Sequence, residues 1–254
     1  MGAPENFAAW MSTHIANDRQ HGRTVYRYHP RSDYHSRALC QLILADLLAA
    51  CPVLAAHARM GSVVGGVNAK VTFSNGNSKT LDLAIGLPVS PGRAPVAPLV
   101  IEMAPIGQLR ISIEAKQCMT EHSKTKPRLF DELSSSHEIV HRGVSSAIAC
   151  GIVVVNIAER YASPTRQIAT GDVLFTQHAQ PAAARSIVEH LRRLERRENI
   201  GDAGFDAFST IVTDCDNTGG CALHESDPAP QPGELDHYRS FIDHMSRAYA
   251  ARFP

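Results

Sequence analysis

Apolar residues recur every three or four positions over residues 36–50, without glycine or proline, and the spacing predicts a helix with one buried face. Pro52 marks its end. The period then shortens to two. Residues 67–73 and 79–85 are short runs of aliphatic and β-branched side chains separated by Asn75 and Gly76, the pattern of a β-hairpin. Four prolines and one glycine make residues 87–98 a loop. Residues 109–115 alternate again, as a third strand. Pro127 precedes a helix over 128–142 that Gly143 would stop. Residues 151–156 are apolar throughout, as in a strand buried on both faces of a sheet.

Further along, residues 182–197 read as an amphipathic helix. Ile187, Leu191 and Leu194 lie on one side and Arg192, Arg193, Arg196 and Arg197 on the other, an ordinary exposed face given Glu195 and Glu198. Residues 209–213 form another strand. A proline- and glycine-rich loop over 227–233 leads to a last helix with the stripe Leu235, Tyr238, Phe241, Ile242, Met245 and Tyr249. The order helix, three strands, helix, strand implies an α/β protein with a mixed central sheet flanked by helices. Nothing resembles a linker, so residues 1–254 read as a single domain. Residues 1–34, with a His- and Arg-rich piece at 21–31, form an arm or an irregular lead-in.

Composition narrows the class without naming it. The chain is 44% apolar and 20% charged, ordinary for a soluble protein. No apolar run approaches the roughly 18 residues of a membrane span, and the first ten residues lack a secretory pattern. Six cysteines without CxxC spacing suggest buried thiols of a cytoplasmic protein, with a Cys215–Cys221 bridge or metal clip as a lesser alternative. Twenty-five basic and 25 acidic residues cancel, which argues against a nonspecific nucleic-acid coat but allows one basic cleft on a neutral body.

The chemistry lies in three residues. Glu114 and Lys116 are two apart on the third strand and share a face of the sheet. Asp82 lies in the strand before; if the two strands are neighbours, all three side chains converge. Phosphodiester hydrolysis needs a metal to activate water and offset phosphate charge. Mg²⁺ takes one or two carboxylates and keeps several waters. Ala115 offers its backbone carbonyl as a further ligand, and a lysine beside the metal orients the water. The bland alternative is a solvated salt bridge at a strand end.

Leu81 and Asp82, then Glu114, Ala115 and Lys116, in this order of elements, resemble the PD-(D/E)XK nuclease superfamily, which includes type II restriction endonucleases. Residues 110–156 also resemble restriction-endonuclease-like bacterial proteins, and Leu81 stands where the family name has proline. The resemblance implies a restriction-endonuclease-like core and a Mg²⁺- or Mn²⁺-dependent DNA endonuclease, in restriction or antiviral defence. Asp82 and Glu114 would bind the metal and Lys116 would position the nucleophilic water. Gln117 would touch the metal or a water, and Glu102 is the fallback acidic partner. Lys124, Lys126 and Arg128 are a locally basic run that could contact phosphates. Cutting both strands of a duplex with one site per chain implies a homodimer, with the last helix available for pairing.

Two rival classes stay open: a catalytically silent nucleic-acid-binding module and a zinc metallopeptidase. For the latter, His137, Glu138 and His141 match His-Glu-x-x-His, whose histidines share a helical face. Ser134, Ser135 and Ser136 before it, Gly143 just after it and the lack of a third ligand better than Glu159 count against it. Asp214, Asp216 and Asn217 read as a turn rather than a calcium loop.

Overall fold

A computed structural model describes residues 2–15, 26–95, 100–165 and 173–254. Part of the segment read as an arm or lead-in is helical, α1 (Ala3–Thr13), and its Phe7 and Met11 are buried in the core. Residues 16–25, including half of the His- and Arg-rich piece, lie outside the described residues. In α2 (Tyr34–Ala50) the stripe read from the spacing is buried: Leu39, Ile43, Leu44, Leu47 and Leu48. Pro52 does more than stop it. It opens α3 (Pro52–Arg59), where a missing N–H costs no helical bond.

The hairpin pairs β1 (Val64–Thr72) with β2 (Ser78–Pro88), and Gly76 takes φ 82° in its turn. Next come β3 (Ile106–Cys118), α4 (His122–Gly143) and β4 (Ile148–Asn156). Helix α4 begins earlier than Pro127 suggests. His122 is buried and its Nε2 donates to the Asn156 carbonyl at 2.8 Å, which anchors the turn before the proline. A two-stranded sheet of β5 (Arg160–Ala162) and β6 (Phe175–Gln177) precedes α5 (Ala182–Leu191), and β7 (Ala207–Cys215), β8 (Cys221–Leu223) and α6 (Tyr238–Arg252) complete the chain.

The main sheet runs β1-β2-β3-β4-β7-β8. Strands β1, β2 and β3 are antiparallel, β3, β4 and β7 parallel, and β8 returns antiparallel to β7. Every residue of β4 is buried, as its unbroken apolar run required. Leu83, Ile85, Ile111 and Ile113 pack on one face with α1, α2, α3 and α6, while Leu129, Leu133, Val140 and Ile187 of α4 and α5 cover the other. This is an α/β protein with a mixed six-stranded sheet between helices.

Two readings change. Helix α5 stops at Leu191, and only two of the four arginines are exposed as read: Arg193 and Arg192, the latter paired with Asp236 and Glu234, face outward, whereas Arg196 stacks on Phe208 and Arg197 is buried on Asp206. The stripe of α6 closes the core, with Phe241, Ile242, Met245 and Tyr249 buried, so it is not free for pairing. All six cysteines are buried thiols, and Cys215 and Cys221 face each other across the β7–β8 ladder. Among the described residues no single helix is long and apolar enough to cross a membrane.

Candidate active site

Strands β2 and β3 pair, through two register shifts, as far as Leu83 with Ile113 and then part. One residue further along that register, Asp82 comes opposite Glu114. On its other side the β1 ladder sets Asn68, in the left-handed region at φ 50°, across from Asp82. Released from β3, Asp82 accepts through Oδ2 the backbone N–H of Ala115 at 2.9 Å, a bond that a continuing ladder would have given to main chain. The N–H and C=O of one strand residue point the same way, so the Ala115 carbonyl faces the same opening.

Glu114 is 8% exposed and has a partner on each oxygen. Lys116 Nζ lies 2.7 Å from Oε1; Ser136 Oγ of α4 donates to Oε2 at 3.0 Å, and Lys79 Nζ lies 3.3 Å from the same atom. Glu132, one turn before Ser136, reaches Lys116 at 3.8 Å and Arg128 at 3.4 Å. The site is thus a chain of alternating charge between the diverging strands and the overlying helix.

The two carboxylates are tuned apart. Burial raises the Asp82 pKa and the charge of Glu114 adds to this, with only partial relief from the Ala115 N–H. Burial also pushes Glu114 up, but Lys116 and Lys79 outweigh it and hold Glu114 below the usual carboxylate range. Burial pulls the Lys116 pKa down, but the Glu114 carboxylate outweighs it and the Lys116 pKa is raised. Opposed shifts on adjacent titratable groups occur at functional sites, and buried ion-pair networks produce them as well.

The donors suit a hard divalent cation. Among the described residues no group of three His, Cys, Asp or Glu side chains is placed to hold a metal ion, so a metal here would rest on the Asp82 and Glu114 carboxylates and the Ala115 main chain. Two carboxylates with coordination positions left for water match Mg²⁺ or Mn²⁺ better than a closed protein cage.

The remaining candidates separate. Glu102 belongs elsewhere: its carboxylate accepts the Arg93 N–H at 2.6 Å and its carbonyl pairs with Gly65. Gln117 is an odd number of residues from Glu114 and points to the opposite face, where its Nε2 is buried without a hydrogen bond. Lys124 and Arg128 are exposed on α4, and Arg128 is eight residues, about 12 Å of helix, from Ser136. Lys126 instead braces α4 against α5, donating to Ser186 Oγ at 3.0 Å.

Among the described residues the His-Glu-x-x-His segment gathers no third metal-ligating side chain. His137 packs against the Phe205 ring at 4.8 Å, Glu138 pairs with Arg142 at 3.0 Å in solvent, and Glu159 is exposed beyond β4. His141 Nε2 stands 3.4 Å from Asp206, within ion-pair reach but too poorly directed for a hydrogen bond. Asp216 and Asn217 form the β7–β8 turn, Asp216 Oδ1 accepting the N–H groups of Thr218 and Gly219 at 2.8 Å.

Two clefts of about 860 and 820 Å³ lie beside β7 and β8, away from Asp82 and Glu114. Two of their acidic groups serve local structure: Asp46 accepts from Ala3 N–H and Tyr238 Oη, and Asp216 closes its own turn.

Lys79, Ser136 and Glu132 were not legible as site residues. Lys79 is three residues from Asp82, which alternation assigns to opposite faces; the rule fails on β2, where Leu81 and Leu83, two apart, pack on opposite sides of the sheet. Ser136 falls on the buried stripe Leu129, Leu133, Ser136 and Val140 of α4, a helical spacing that could have singled it out from its two serine neighbours.

No known family, curated protein or solved structure matches this chain. The resemblance to PD-(D/E)XK nucleases rests on Asp82, Glu114, Lys116 and the order of elements.

Proposed function

We propose that the chain is a Mg²⁺-dependent DNA endonuclease with a restriction-endonuclease-like core, acting in restriction or antiviral defence. The observation that carries this reading is the meeting of Asp82 and Glu114 where β2 leaves β3, with the Lys116 ammonium on Glu114. The sequence of α2, β1, β2, β3, α4 and β4, with β3 parallel to β4, supports the same reading.

Asp82 and Glu114 would hold the metal, assisted by the Ala115 carbonyl. The metal would supply Lewis-acid neutralisation of the scissile phosphate and water activation. Lys116 keeps its proton and acts as a donor, orienting the attacking water and stabilising charge on the phosphate as it grows. Ser136 and Glu132 fix the rotamers of Glu114 and Lys116. Exposed Lys124 and Arg128 extend positive charge along α4, where a phosphate backbone needs no base-specific contact.

Incubating supercoiled and linear DNA with the chain tests the reading. Mg²⁺ or Mn²⁺ supports cleavage, Ca²⁺ permits binding without turnover because its looser coordination places water less well, and a chelator stops the reaction. Cleavage undiminished by chelator sinks it.

Double-strand cutting adds a homodimer with two such sites along one groove. The partner surface is then not the α6 stripe, which is in the core. Sedimentation at micromolar concentration measures this: a chain that stays monomeric while making double-strand breaks in one binding event refutes the dimer.

A further inference from the structure

We propose that Lys79 is a built-in competitor for the metal, holding Glu114 Oε2 in the metal-free protein and giving way when a divalent cation binds. The proposal rests on the endonuclease reading of the same site. Asp82 and Glu114 bring two negative charges, and Lys79 and Lys116 bring two positive ones. The empty site is therefore close to neutral, and its most acidic carboxylate is occupied on both oxygens. A divalent cation entering beside both ammonium groups would leave an excess of two positive charges in a poorly solvated place. One lysine has to withdraw.

The geometry selects Lys79. Lys116 shares a strand with Glu114, is closer to it and is also tied to Glu132. Lys79 reaches over from the first residues of β2, next to the hairpin turn, and Glu114 is its one acidic partner within ion-pair distance among the described residues. Its four-carbon stem allows the ammonium to swing out without moving the backbone. With Lys79 withdrawn, the two carboxylates, Lys116 and the metal sum to one positive charge, which a single phosphodiester neutralises. The withdrawn ammonium is also free to meet that phosphate. Metal and DNA then favour each other's binding through one side chain, since linkage between two sites is reciprocal.

Calorimetric titration of the full chain with Mn²⁺, without DNA, tests this directly. Lys79→Gln binds Mn²⁺ about tenfold more tightly than the unaltered chain, within the ordinary range of coupling between sites. Lys79→Arg keeps the charge and binds as the unaltered chain does. Lys70→Gln, which removes the same charge from an exposed position on the same hairpin, changes affinity less than twofold. Equal or weaker Mn²⁺ binding by Lys79→Gln, beside measurable binding by the unaltered chain, overturns the role of Lys79 and leaves the endonuclease reading standing. Absence of Mn²⁺ binding by every one of these proteins at millimolar concentration overturns both.

Discussion

Glu114→Gln and Asp82→Asn each lower metal-dependent DNA cleavage by about three orders of magnitude, equivalent to ~4 kcal/mol of transition-state stabilisation. Both substitutions keep the shape of the side chain and remove the charge that would hold the metal. In Asp82→Asn the introduced amide keeps a carbonyl oxygen to accept the Ala115 N–H, so loss of activity does not follow from loss of the strand geometry. The two variants part in stability. Asp82 has a raised pKa, so its ionised form is disfavoured in the folded chain, and Asp82→Asn is neutral or stabilising near pH 7. Glu114 has a lowered pKa and stabilises the fold above the carboxylate range, so Glu114→Gln costs stability there and loses that cost as the medium is acidified. Cleavage rates and urea midpoints, measured on the same preparations, report both effects. Full activity in Glu114→Gln ends the assignment of this site.

Asp206→Ala produces the largest loss of stability, about 3–5 kcal/mol, by breaking a buried ion cluster from one side. Asp206 Oδ1 accepts Arg197 Nε at 2.8 Å and Arg252 Nη2 at 2.6 Å, while Oδ2 accepts the Ala149 N–H at 2.7 Å. The Arg197 side chain is fully buried and also donates to the carbonyls of Ser145 and Ala147. The cluster joins the starts of β4 and β7 to the segment after α5 and the end of α6. Without Asp206 two guanidinium groups lose their counter-charge, one of them with no route to water.

The same group sets an acid limit. Burial pushes the Asp206 carboxyl up, but His141, Arg197 and Arg252 bring it down to about 2. Its unfolded value is about 3.9. A depressed carboxylate stabilises above the unfolded value, by about 2–3 kcal/mol at neutral pH, and the contribution fades as pH falls through the folded value. The stability difference between the unaltered chain and Asp206→Asn is therefore constant above about pH 5 and shrinks towards pH 2. Chemical denaturation at stepped pH measures it; a difference independent of pH down to 2 contradicts the cluster's role.

The hydrophobic period by itself determined α2, the hairpin, β3, the fully buried β4 and the stripe of α6, because burial on one face or on both leaves a direct mark on spacing. It also placed Glu114 and Lys116 on one face, since alternation along a strand is a local property. Tertiary structure decided the rest. Pro127 and the arginine-rich segment misplaced helix ends, because buried partners, Asn156 for His122 and Asp206 for Arg197, outweighed local preference. His141 went to Asp206, a residue far along the chain that no helical motif can specify. The meeting of Asp82 with Glu114 depends on register, and the approach of Lys79 goes with a break in alternation on β2, where Leu81 and Leu83 pack on opposite sides of the sheet. Chain spacing encodes which face a residue favours; which charges share that face is fixed only when strands and helices from distant segments pack together.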